Sequence, residues 1–157
     1  MKLKSILEDI EILKPRRSKE ERWKNRIVVI QKEIQKYIKD GCVGDLDLEG
    51  TPIEKLPDNL KKVGGDLYLD GTKIKFLPDD LVVDENLWLN NTPIETLPRN
   101  LKVGRYLNLG FTKIESLPND LVVGGSLILN NTLITAKYSR EEIKKMAPKV
   151  NDIYIYY

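Results

Sequence analysis

The sequence predicts an α/β solenoid: short parallel strands stacked one per turn into a single sheet, with helices at both ends. Three observations predict it. Leu-x-Leu pairs recur at Leu46/Leu48, Leu67/Leu69, Leu87/Leu89, Leu107/Leu109 and Leu127/Leu129, in steps of 21, 20, 20 and 20 residues. Thr51, Thr72, Thr92, Thr112 and Thr132 keep that phase, and so do Ile53, Ile74, Ile94, Ile114 and Ile134. Leu56-Pro57, Leu77-Pro78, Leu97-Pro98 and Leu117-Pro118 follow in register, then Leu60, Leu81, Leu101 and Leu121 and the closing valines Val63, Val83, Val103 and Val123. A fixed period of this length marks a repeat architecture, in which each unit buries its apolar face only against its neighbours.

The N-terminal segment, 1–43, predicts a helical hairpin. Leu3, Ile6, Leu7, Ile10 and Leu13 form one apolar stripe that stops near Pro15, and Ser18-x-x-Glu21 is a capping box that opens a second helix. Trp23, Ile27, Ile30, Ile34 and Ile38 share one face of that helix and Gly41 stops it. Residues 44–135 are five units of the form x-Leu-x-Leu-x-x-Thr-x-Ile-x-x-Leu-Pro-x-x-Leu. The Leu-x-Leu step is one strand with leucines inward, and proline fixes φ where no ladder N–H is required. Proline in every unit and the period of two exclude helical repeats, while a parallel β-helix with more strands per turn is the alternative. In 136–157, Ser139-x-x-Glu142 opens a short helix ending before Pro148, and Val150, Ile153 and Ile155 resume strand spacing. The three segments are expected to form one cooperative domain, with the end segments as caps.

The repeat resembles the short, twenty-residue leucine-rich repeat of bacterial type, found in secreted bacterial effectors and in small phage and prokaryotic proteins. The resemblance rests on the Leu-x-Leu, Thr-x-Ile and Leu-Pro-x-x-Leu elements of residues 44–135. It implies a concave parallel sheet, an N-terminal helical hairpin and a non-catalytic role in binding another protein, as an effector or a phage-encoded modulator of a host factor. The chain departs from that family in carrying Thr at the usual Asn position and a single Leu-Pro. A threonine hydroxyl both donates and accepts, so a Thr ladder is expected to satisfy neighbouring loop backbones.

Composition points away from catalysis. The chain has 157 residues with one Cys, Cys42, and no His, which removes Ser-His and Cys-His chemistry, a disulfide framework and Cys-rich metal sites. The longest aliphatic run is Ile27-Val28-Val29-Ile30, too short for a membrane span, and the absence of an apolar leader leads us to expect a cytoplasmic protein. Paired carboxylates at Asp45/Asp47 or Asp66/Asp70 lack any dedicated calcium-loop spacing, and Gly64-Gly65 and Gly124-Gly125 lack the strand-Gly-helix context of a phosphate loop. We expect no cofactor, no metal and a monomer.

The net charge of +2 conceals a polarity: residues 1–43 carry 12 basic and 7 acidic side chains, residues 44–135 carry 9 and 14, and the last 22 carry 5 and 3. The outward strand positions are Asp45, Asp47 and Glu49; Asp66, Tyr68 and Asp70; Asn86, Trp88 and Asn90; Tyr106, Asn108 and Gly110, with Phe111 just beyond; and Ser126, Ile128 and Asn130. Aromatic side chains beside carboxylates form the expected partner-binding surface, and the partner is expected to present a basic patch. Exposed aromatics that merely pack across strands are the plainer alternative. A second candidate is the basic run at the N-terminus, Arg16, Arg17, Lys19, Arg22 and Arg26, which would contact nucleic-acid phosphates.

Overall fold

The computed structural model describes residues 18–155. The stripe Leu3–Leu13, the basic residues Arg16 and Arg17, and the terminal Tyr156 and Tyr157 lie outside them. Within them the chain is a parallel-strand β-solenoid of about four turns with a few helices.

Helix α1 (Lys19–Lys39) starts where the capping box places it: Ser18 Oγ accepts from Glu21 N at 3.2 Å and Ser18 N donates to a Glu21 carboxylate oxygen at 3.2 Å. Ile30 and Ile34 enter the core of the solenoid, whereas Trp23 at the other end of the predicted stripe is 45% exposed. The Tyr37 hydroxyl ties the end of α1 to the first turn, donating to Gly44 O at 2.7 Å and accepting from Gly64 N at 3.2 Å.

The leucine pairs form the strands β1 (Leu46–Asp47), β3 (Leu67–Tyr68), β5 (Leu87–Trp88), β7 (Leu107–Asn108) and the C-terminal half of β8 (Val122–Ile128). All pair in parallel with leucine on leucine, Leu46 with Leu67, Leu67 with Leu87, Leu87 with Leu107 and Leu107 with Leu127. Both leucines of every pair are buried, together with the in-phase isoleucines and the later leucines.

One strand per unit is an undercount. The valines that close each unit form a second parallel ladder, β2 (Lys62–Val63), β4 (Val82–Val83), β6 (Lys102–Val103) and the N-terminal half of β8. In the earlier turns three residues separate the ladders; in β8 they run together as one seven-residue strand. A ladder this short shows in sequence as one buried valine beside a variable residue, too little for a periodic signal.

The threonines also act otherwise than as a ladder between turns. Each buried hydroxyl donates to the carbonyl three residues earlier in its own turn: Thr51 to Leu48 at 2.7 Å, Thr72 to Leu69 at 2.7 Å, Thr92 to Leu89 at 2.8 Å, Thr112 to Leu109 at 2.7 Å and Thr132 to Leu129 at 3.0 Å. This closes the turn after the strand and satisfies a buried carbonyl.

After the fifth leucine pair the Leu-Pro element is replaced by two helices, α2 (Leu133–Lys137) and α3 (Arg140–Met146), where the sequence predicts one. The Ser139/Glu142 capping box is present, with Ser139 N donating to Glu142 at 2.8 Å. β9 (Val150–Tyr154) then adds to β8 in parallel, Leu127 opposite Ile153 and Ile128 opposite Tyr154. No helix among the described residues is long and apolar enough to cross a membrane.

The relative weight of leucine stack and threonine bond is measurable in the central turn. Urea unfolding should show Leu89→Ala losing about 2–5 kcal/mol and Thr92→Val about 1 kcal/mol. Equal losses would mean that the turn, and not the stack, dominates.

Candidate functional site

Register arranges the outward side chains of the leucine ladder, here called the front face, into columns. The first holds Asp45, Asp66, Asn86, Tyr106, Ser126 and Asp152; the second Asp47, Tyr68, Trp88, Asn108, Ile128 and Tyr154; the third Glu49, Asp70, Asn90, Gly110 and Asn130. These columns contain six carboxylates and no Lys or Arg. Elsewhere ion pairs tie neighbouring turns together: Lys62–Asp84 at 2.9 Å, Arg105–Glu85 at 2.7 Å and Lys137–Glu115 at 2.7 Å.

The first column is built into the scaffold. Asp45 Oδ1 accepts from Asp66 N at 2.8 Å, Asp66 Oδ1 from Asn86 N and Nδ2 at 2.8 Å each, and Asn86 Oδ1 from Tyr106 N at 3.0 Å. Each short polar side chain thus receives an N–H from the next turn, and Tyr106, which has no such acceptor, ends the series. Room for it comes from Gly65, where a Cβ would lie 2.2 Å from Asp45 Oδ1. Asp47 and Asn108 brace their own strand ends, accepting from Glu49 N at 3.1 Å and from Gly110 N at 2.9 Å.

Two groups on this face have unmet hydrogen-bonding capacity. Trp88 Nε1 and Asp70 Oδ1 are both buried without a partner, and each such group costs about 1–3 kcal/mol until something satisfies it. They sit on adjacent turns in adjacent columns, a donor beside an acceptor. Burial pushes the Asp70 carboxyl up, aided by the charge of Glu49 and opposed by a backbone N–H of Asn90. Trp88 stacks on Tyr68 with ring planes 1° apart and centroids at 6.3 Å, an offset arrangement that suits aromatic quadrupoles. The Tyr68 hydroxyl donates to Asp66 Oδ2 at 2.7 Å.

Beyond the third column the chain turns through the left-handed region in every unit, at Gly50, Gly71, Asn91, Phe111 and Asn131. Gly and Asn tolerate that conformation; Phe does not, and the steric cost of a left-handed L-residue is roughly 1–2 kcal/mol. Phe111 holds φ 56° and is 59% exposed. Nothing in the alignment of units hides the anomaly, since glycine and asparagine fill the four equivalent positions. Sequence reading placed Phe111 beside the strand but not in strain. Ile128 stands in the second column, outward as its alternation with the leucines predicts, and Tyr154 joins it through the pairing of β9 with β8, which only register reveals.

Of the alternative basic residues, Arg16 and Arg17 lie outside the described residues and the others belong to α1. Lys19 lies in the first turn of α1 and Arg22 is exposed on that helix. Arg26 lies over the Trp23 ring at 5.9 Å, with Lys73 over the same ring at 5.2 Å. Lys24 pairs with Glu20 at 3.3 Å. Cys42 carries a thiol pushed up mainly by burial, the direction that disfavours the reactive thiolate.

The Tyr68–Asp66 bond sets a pH signature. Chiefly through that hydrogen bond, then through burial and the neighbouring carboxylates, the Tyr68 phenol is pushed from 10.0 up to about 12. The native state holds a proton that the unfolded chain has lost between those values. The contribution is therefore complete below pH 10 and lost as pH rises toward 12. A difference titration of phenolate absorbance against Tyr68→Phe should place Tyr68 near pH 12, and Asp66→Asn should move it back toward 10. An unmoved titration in Asp66→Asn would assign the shift to burial alone.

Compared with known proteins, the chain matches no family model, no curated protein and no solved structure.

Proposed function

We propose that the chain is a leucine-rich-repeat binding protein without catalytic activity, whose front face is a concave surface for a protein partner with a basic patch. In this reading α1 and the α2–α3–β9 segment are caps, and the closed repeat array is a rigid support for the face. The effector or host-factor-modulator role implied by the repeat belongs to the same proposal.

One observation carries it: the three columns bear five of their six carboxylates in the first two turns, an aromatic stack beside them and no cation. An arginine side chain from a partner fits this set. Its guanidinium pairs with the exposed Glu49 and the partly exposed Asp70 carboxylates at the acidic end, and its planar face packs on Tyr68 or Trp88.

Calorimetric titration with synthetic arginine-rich and glutamate-rich peptides tests this. Arginine peptides should bind, more weakly as salt rises. The Tyr68→Ala/Trp88→Ala variant should lose about tenfold or more in affinity, at least 1.4 kcal/mol, with its far-UV circular dichroism unchanged. Equal affinity in that double variant, or preference for glutamate peptides, contradicts the site.

A further inference from the structure

The fourth turn departs from its neighbours in a way the fold does not require. Every other unit places Glu49, Asp70, Asn90 or Asn130 in the third column and then Gly or Asn at the left-handed position. The fourth unit has Gly110 followed by Phe111. A Cβ at Gly110 would lie 2.8 Å from Asn90 Oδ1 and 3.2 Å from Asn108 Oδ1, the ends of two side chains that would have to shift. Yet Gly110 does not take the left-handed conformation, which stays at residue 111 and is borne by the aromatic. Phe111 contributes nothing to the core in return, being 59% exposed. Its N–H donates to Asn130 O at 2.8 Å, a bond any residue makes, as Asn91 does to Gly110 O at 2.9 Å. Phe111 is thus a bulky, exposed residue in a left-handed conformation that Gly or Asn takes in the equivalent turns, the kind of outlier that points to a role outside the free chain.

We propose that Phe111 is the apolar anchor of the front-face interface, and that the partner segment carries an apolar side chain about two turns of the solenoid away from its basic group. This inference rests on the reading of the front face as a site for a basic protein segment. Asp70 and Phe111 belong to the second and fourth turns, so the two contacts are about 10 Å apart across the ladder. That distance equals roughly three residues of an extended chain or seven of a helix. Tyr106, 45% exposed at the start of the same turn, offers a second ring to the apolar group. The face thus has a direction: carboxylates receive the basic end and Phe111 receives the apolar end.

The probes are synthetic peptides with one arginine and one leucine, their separation stepped from one residue to eight. One series has a Gly/Ser background to stay extended, and the other has an alanine background to favour helix. Affinity for the full chain should peak near a separation of three in the first series or seven in the second. Leucine should add about tenfold over the leucine-free peptide. Phe111→Asn, the residue of the equivalent turns, should abolish the leucine-dependent gain and leave the arginine-dependent, salt-sensitive binding. The same variant should raise Tm by about 2–4 °C, because strain is removed and nothing buried is lost. Arginine-dependent binding with the same leucine gain in Phe111→Asn overturns the anchor while the front-face reading stands. A fall in Tm overturns the premise that Phe111 is strained without structural return. An absence of arginine-dependent binding by the wild-type chain overturns both readings.

Discussion

Every turn of this protein can bury its leucines only against the turns on either side, so the fold depends on holding one register through the whole repeat block. Leu67, Leu87 and Leu107 lie opposite one another in successive strands, and each is fully buried. A buried leucine contributes roughly 1.5–3 kcal/mol, and the backbone bonds that align it, such as Leu67 N to Asn86 O at 2.9 Å and Leu87 N to Tyr106 O at 2.8 Å, run from turn to turn. No turn has a core of its own. The threonine hydroxyls, each bonded inside its own turn, shape the unit that is then stacked.

The same constraint orders the surface. Side chains that leave the sheet fall into columns whose neighbours are fixed by the strand spacing, and part of the acidic content is spent on the scaffold. Asp45, Asp66 and Asn86 hold the turn-to-turn series of acceptors, and Asp84, Glu85 and Glu115 are paired with cations. On the front face a buried oxygen of Asp70 and the buried indole N–H of Trp88 have no partner, and the ring of Phe111 is exposed. A face with a carboxylate end, an aromatic centre and a strained aromatic rim is polar along the solenoid axis. That polarity follows from register and not from any single residue.

Much of this was legible in the sequence because a core with a strict period writes itself into residue type. The leucine ladder, both capping boxes, the stop at Gly41 and the final strand near Val150 followed from spacing alone. The second ladder did not, because Val63, Val83, Val103 and Val123 each stand alone between a variable residue and a bend. The threonine reading failed on direction: a hydroxyl that bonds its own turn and one that bonds the next look identical in sequence. For the front face, residue type identified the columns' members but not their division of labour. Asp45 and Asp70 are the same residue at outward positions, and only the structure separates a backbone acceptor from an oxygen left without a partner. Phe111 was the reverse case, since the Gly/Asn pattern of the equivalent turns was in view and its conformational meaning needed the φ angle.

The proposed binding surface is the front face near Trp88 and not the basic side of α1 near Trp23. These are the two tryptophans of the chain, so a proton–nitrogen correlation spectrum shows two indole N–H signals, one for each surface. On titration with an arginine-bearing peptide, the Trp88 signal should shift as the peptide covers the Tyr68–Trp88 stack, while the Trp23 signal stays in place. Movement of the Trp23 signal alone, or a Trp88 signal unmoved at saturation, would contradict the account.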